Sequence, residues 1–153
     1  MKRGIFCNIP DNTSLFLRQL LAPIDFTHYR WQNERDEMYL DESPSEPVFQ
    51  EEPYILDGDT FERQLSRPHT VFLADFKAFP LTSDALALIE TYDDFLASDC
   101  ALIVLVVDSE YAVVYSKQQA MIQALYDNAV HENFPNVAFL TDDNDSRTQM
   151  TTW

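Results

Sequence analysis

Apolar and polar residues alternate loosely over "RGIFCNI" (residues 3–9), which predicts a strand. The period then lengthens. Leu15, Phe16, Leu20 and Leu21 recur at helical spacing over residues 11–22, and Pro23 supplies the stop. "FTHYRWQ" (residues 26–32) has the aromatic and β-branched content of a strand, which residues 37–40 could pair with across a turn at 33–36. Three prolines and five acids in residues 41–53 oppose a helix or a central strand, so this segment is expected to be an exposed loop within one domain. Asp59 with Glu62 three residues on predicts a capped helix to about Ser66, followed by a buried strand at "HTVFLADF" (residues 69–76). Residues 81–90 fit a helix or an edge strand and are read as helix. Thr91 and Asp94 form a second capping pattern, for a helix ending near Ser98.

The run "ALIVLVV" (residues 101–107) is apolar at every position, as only a strand covered on both faces tolerates. "DSE" (residues 108–110) turns it back into "YAVVY" (residues 111–115), a hairpin. Ser116 and Gln119 then open a helix whose apolar stripe is Met121, Ile122, Leu125, Tyr126, Ala129 and Val130, ended by Asn133 and Pro135. "NVAFLT" (residues 136–141) is the last expected strand. Helices alternate with hairpins rather than with single strands. The expected fold is therefore α+β, a single domain with a mixed, largely antiparallel sheet packed by three to four short helices.

Composition adds little to that picture, and charge adds more. The chain has 153 residues, 46% hydrophobic, in keeping with one globular domain. No apolar run approaches a membrane span, and Asn8 and Pro10 interrupt the apolar stretch that follows the basic start, so a cytoplasmic protein is expected. Cys7 and Cys100 each sit in an apolar segment and read as small buried hydrophobes. The net charge is −16, with eleven acids against Arg35 alone over residues 34–62. Such a surface repels phosphate backbones, which disfavours nucleic acid. It suits solubility, a basic protein partner, or mimicry of nucleic acid.

Glycine occurs twice, at Gly4 and Gly58, too rarely for a glycine-rich phosphate loop. His28, His69 and His131 are far apart, without zinc spacing. "DGDT" (residues 57–60) reads as a turn at Gly58 feeding a helix cap rather than as a metal-binding pair. "TDDNDSRTQM" (residues 141–150) crowds Asp142, Asp143 and Asp145 around Arg147. Arg147 stands where a calcium loop needs glycine and Trp153 where it needs glutamate, so an EF-hand is excluded. A nonstandard cation site on the three aspartates competes with an acidic turn held by Arg147, and the turn is the better reading. No motif implies a cofactor.

The segments "MKRGIFCNIP", "TYDDFLASDCALIVLVVDSEYAVVYSK" and "NVAFLTDDNDSRTQM" together resemble a domain-of-unknown-function family, the 2691 family, of small proteins from bacilli and their relatives. The resemblance implies a bacterial cytoplasmic single-domain protein. It carries over no functional residues, and residues 41–53 match it least.

Two functional expectations follow. The first is a non-enzymatic acidic protein, a regulator or inhibitor that meets a basic protein partner, with Trp31, Tyr39 and Tyr54 beside the most acidic segment as the partner surface. The second is an enzyme or small-anion binder whose site gathers Lys77, Lys117 and Arg147 with Tyr115 or Asp75. Asp75 with Asp108, at strand ends, is a further carboxylate pair weighed against ordinary turn roles.

Overall fold

Within the apolar run of residues 101–107, residues 102–106 lie in the middle of a sheet with their side chains buried on both faces. A computed structural model describes residues 1–11, 14–49, 54–84 and 86–152. The strands are β1 (Lys2–Asn8), β2 (Tyr29–Leu40), β3 (Ser43–Pro47), β4 (Ile55–Asp57), β5 (His69–Pro80), β6 (Leu102–Val107), β7 (Tyr111–Ser116) and β8 (Ala138–Thr141). Among the described residues they form one eight-stranded sheet in the order β3-β2-β5-β6-β7-β1-β8, with β4 also paired to β2. Every strand pair in it is antiparallel. The helices are α1 (Phe16–Leu20), α2 (Gly58–Leu65), α3 (Tyr92–Ala97) and α4 (Gln119–His131). The fold is α+β.

Strand alternation divides the core in two. On β5, Ala74, Phe76 and Ala78 face the larger core, where α1, α2 and α4 bury Leu17, Leu20, Phe61, Leu65, Ile122 and Leu125. Trp31 stacks on Phe61 there at 4.3 Å and gives its indole N–H to the Phe26 carbonyl. Phe79 faces the opposite side with Ile103, Leu105, Val113 and Tyr115, under Ile89, Phe95 and Met150. The chain covering this second face is held by main-chain bonds from Tyr92 to Thr148 and from Met150 to Glu90.

Several elements depart from expectation. The polar residues Asn33–Asp36 do not turn the chain. They continue β2 as one strand of 12 residues, because a bulge between Asn33 and Arg35 absorbs Glu34 without breaking the pairing to β5. The proline-rich segment read as a loop contains β3, an exposed edge strand, where missing N–H groups cost no ladder bond; its residues 50–53 lie outside the described residues. Residues 86–90 are irregular rather than helical, since their end is tied to the C-terminal segment instead. α1 is confined to Phe16–Leu20. α2 starts two residues early, with Asp57 rather than Asp59 accepting the Thr60 N–H at 2.7 Å. α4 begins beyond Gln118, and its expected stripe residue Val130 is exposed. The Thr91–Asp94 capping box forms in full on α3.

Neither glycine has a positive φ; the left-handed positions fall to Asp108, Ser109, Asn133 and Asn136. The glycines serve close approach instead. A Cβ on Gly4 would lie 2.0 Å from the Val114 carbonyl oxygen, and one on Gly58 would lie 2.0 Å from that of Phe26. Because Phe26 also carries the Trp31 bond, Gly58→Ala must displace backbone that orders the larger core. We expect it to lower stability by about 1–3 kcal/mol or more, although alanine favours helix over glycine. Thermal melting checks this, and an alanine variant as stable as wild type would contradict it.

Candidate functional site

β5 carries a charge into the sheet. Asp75 and Lys77 point to the smaller core, opposite Leu105 and Ile103 of β6, and both are fully buried. The Lys77 ammonium donates to Asp75 Oδ1 at 2.6 Å and to Glu34 Oε2 at 2.5 Å. Glu34 is the extra residue of the β2 bulge, and the bulge aims it across the strand at Lys77. The second oxygen of Asp75, Oδ2, is buried without a partner among the described residues. Burial raises the Asp75 carboxyl from 3.8 to about 6, against the pull of Lys77 and helped by the nearby Glu34 charge.

On its outer side the same stretch of β2 lines a groove of about 380 Å³. Glu34, Asp36 and Glu37 contribute carboxylates, Arg35 one cation, and Tyr39, Phe49 and Tyr54 aromatic wall. Burial raises the Asp36 pKa, partly offset by the Asn33 amide, which donates to Asp36 Oδ2 at 2.7 Å. Asn33 Oδ1 is buried and has no donor among the described residues. Tyr54 is 55% exposed, whereas Trp31, expected beside it, is 0% exposed and belongs to the core.

The turn at residues 141–145 is held by arginine, but by a different one. Arg3 Nε donates to Asp142 Oδ1 at 2.9 Å, Arg3 Nη1 lies 3.7 Å from Asp145 Oδ2, and the N-terminal amine approaches Asp142 at 3.3 Å. These contacts hold the Asp142 carboxyl below its ordinary range. Asp142 and Asp145 thus share Arg3, and Asp143 is exposed with its N–H on Thr141 Oγ1. Among the described residues no three His, Cys, Asp or Glu side chains gather as metal ligands. Arg147 instead donates to the Tyr111 hydroxyl at 2.7 Å and to the Gln149 and Thr151 carbonyls. It shares a cleft of about 450 Å³ with Tyr115, whose hydroxyl donates to Asp145 Oδ2 at 2.9 Å.

The cations named from sequence therefore occupy three places. Lys77 meets Asp75 inside the sheet, and Arg147 meets Tyr115 in the C-terminal cleft. Lys117 donates to the Ser98 carbonyl and sits 4.7 Å over the Phe95 ring, at neither place. Asp108 occupies the left-handed β6–β7 turn, away from any pairing with Asp75. Cys7 and Cys100 are buried, and burial pushes both thiols up to about 12, so neither is a ready thiolate. Arg3, Glu34, Asn33 and Tyr111 were not singled out by sequence, since each gains its role from a partner far along the chain.

Comparison with known proteins gives the class. Residues 2–151 match a family model described as protein of unknown function (DUF2691), and the chain belongs to that family. Among its relatives is an uncharacterized protein, YncE, of Bacillus subtilis (strain 168), 36% identical over 155 residues and covering 99% of both chains. No solved structure matches. No helix among the described residues is long and apolar enough to cross a membrane.

The raised Asp75 pKa predicts a pH dependence. A carboxyl that binds its proton more tightly folded than unfolded contributes stability below about pH 4, and that contribution is lost as the pH rises through about 6. Relative to Asp75→Asn, wild type should lose on the order of 2–3 kcal/mol between about pH 4 and pH 7. Urea titrations at a series of pH values measure the difference, and parallel curves for the two proteins would contradict it.

Proposed function

We propose that this protein is a non-catalytic acidic binding protein, a regulator or inhibitor whose groove along β2 receives a basic side chain of a protein partner. The observation that carries the reading is the chemistry of the groove. Asn33 Oδ1 is an acceptor without a donor among the described residues, and it shares the groove with the Asp36 carboxylate and the rings of Tyr39, Phe49 and Tyr54. An ammonium or guanidinium brings donors and a positive charge to the Asp36 carboxylate, and that charge is attracted to an aromatic face. The surrounding acids, Asp41, Glu42 and Glu46, add a field that steers a basic partner toward this edge of the sheet. Exposed Tyr54, Ile55 and Phe72 add apolar contact nearby.

Any protein of net charge −16 attracts polycations, so the test must separate the groove from the field. Fluorescence anisotropy with a labelled lysine-rich peptide does this at low and high salt. Asp36→Asn and Tyr54→Ala should each weaken binding roughly fivefold, in line with a lost charge contact or cation–π contact. Asp127→Asn, on the exposed side of α4, should leave it unchanged. Binding should weaken as salt shortens the screening length to about 8 Å or less. Equal losses for all three variants, or binding indifferent to salt, would contradict the reading.

A further inference from the structure

The cleft at the other end of the sheet is lined by one guanidinium, Arg147, and one carboxylate, Asp145. Its floor is Phe6, Val113 and Tyr115, with Tyr111 and Leu140 at the sides and the C-terminal segment bearing Arg147 folded across it. Phe6 and Tyr111 lie 5.4 Å apart, with their rings tilted by 31°. The half-buried Arg147 guanidinium has only neutral acceptors among the described residues: one hydroxyl and two carbonyls. Tyr111 accepts from Arg147 Nη2, and its own hydroxyl proton has no acceptor among the described residues. Asp145, the carboxylate on the cleft, is engaged by the Tyr115 hydroxyl, by the Arg147 main-chain N–H at 3.2 Å and by Arg3. In a chain this acidic, a cation with no carboxylate partner among the described residues, beside an aromatic wall, suits an anion.

We propose that this cleft binds an aromatic carboxylate, its carboxyl group accepting from Arg147 and the Tyr111 hydroxyl and its ring lying against Phe6, Val113 and Leu140. The acceptor end fits because a guanidinium with an adjacent O–H offers two donors converging on one anionic group. The ring end fits because the remaining wall is aromatic and aliphatic, and flat rings pack on it with offset or edge contacts. Repulsion by the overall acidic surface weakens entry, so the local pairing of Arg3 with Asp145, on the cleft, and with Asp142 matters. The site is separate from the β2 groove and does not depend on the reading given to it.

Benzoate and phenylacetate serve as probes, with benzyl alcohol and inorganic phosphate as controls, observed through the backbone amides of uniformly labelled protein by NMR. Benzoate or phenylacetate should give saturable shifts at Tyr111, Val113 and residues 146–149. Benzyl alcohol and phosphate should each bind at least tenfold more weakly, because each lacks one half of the recognition. Tyr111→Phe keeps the ring and the fold, and should weaken carboxylate binding about fivefold. Arg147→Gln should abolish it, with an unchanged spectrum for β6 serving as the check on folding. The proposal is overturned if neither carboxylate binds at tens of millimolar, if benzyl alcohol or phosphate binds as well, if the shifts fall outside the cleft, or if Tyr111→Phe has no effect.

Discussion

An ammonium group in the interior of a sheet must be neutralised where it lies, and Lys77 imposes that demand on its surroundings. It is fully buried on the central strand β5, so its charge cannot reach water. Asp75, two residues away on the same face, supplies one carboxylate, and Glu34 supplies the other from β2. A regular β2 has no position that places a glutamate there. The bulge that inserts Glu34 answers the requirement, and the same residues line the groove. A buried ion pair is weak support for net stability, since desolvating its members costs about as much as their attraction returns. Removing one member, however, changes the charge balance around the buried Lys77 and Asp75, which is costly.

The distribution of the remaining charge follows from the same economy of cations. The chain has ten lysines and arginines against 26 acids, so where the basic residues stand matters more than how many there are. Lys77 is consumed within the sheet. Arg3 ties the β8 turn to β1, and stacks 4.2 Å over the Tyr92 ring to join α3 to the same corner. Arg18 pairs with Glu62 and links α1 to α2 at 2.8 Å. Arg147 donates its side-chain N–H groups to neutral acceptors among the described residues. One end of the sheet therefore presents carboxylates and aromatic rings, and the other presents a guanidinium over an aromatic wall.

Much of the fold was legible in the sequence because local signals sufficed. "ALIVLVV" could only be a covered strand, "YAVVY" could only return beside it, and the Thr91–Asp94 capping box forms as written. What was illegible depended on distant partners. The polar run Asn33–Asp36 looks like a turn until β5 is seen to extend along its whole length. Residues 86–90 look helical until the C-terminal segment is seen to take their main-chain bonds. The candidate sites divide in the same way. Tyr39, Tyr54, Tyr115 and Arg147 were visible as unusual residues in unusual company. Glu34 and Arg3 were not, because a glutamate among acids and an arginine near the amino terminus carry no local mark of the carboxylate or ammonium they will meet.

The account rests on Lys77 and Glu34 acting as one unit, and a double-mutant cycle tests that most directly. Lys77→Met, Glu34→Gln and the combined variant are compared with wild type by urea denaturation at about 0.05 M and about 0.5 M salt. A contact to a fully buried ammonium predicts a coupling of about 1–3 kcal/mol that largely persists at the higher concentration, since salt screens a mostly shielded pair only weakly. Additive losses, or a coupling that vanishes at the higher salt, would mean that Lys77 does not hold the bulge and that the groove has another origin.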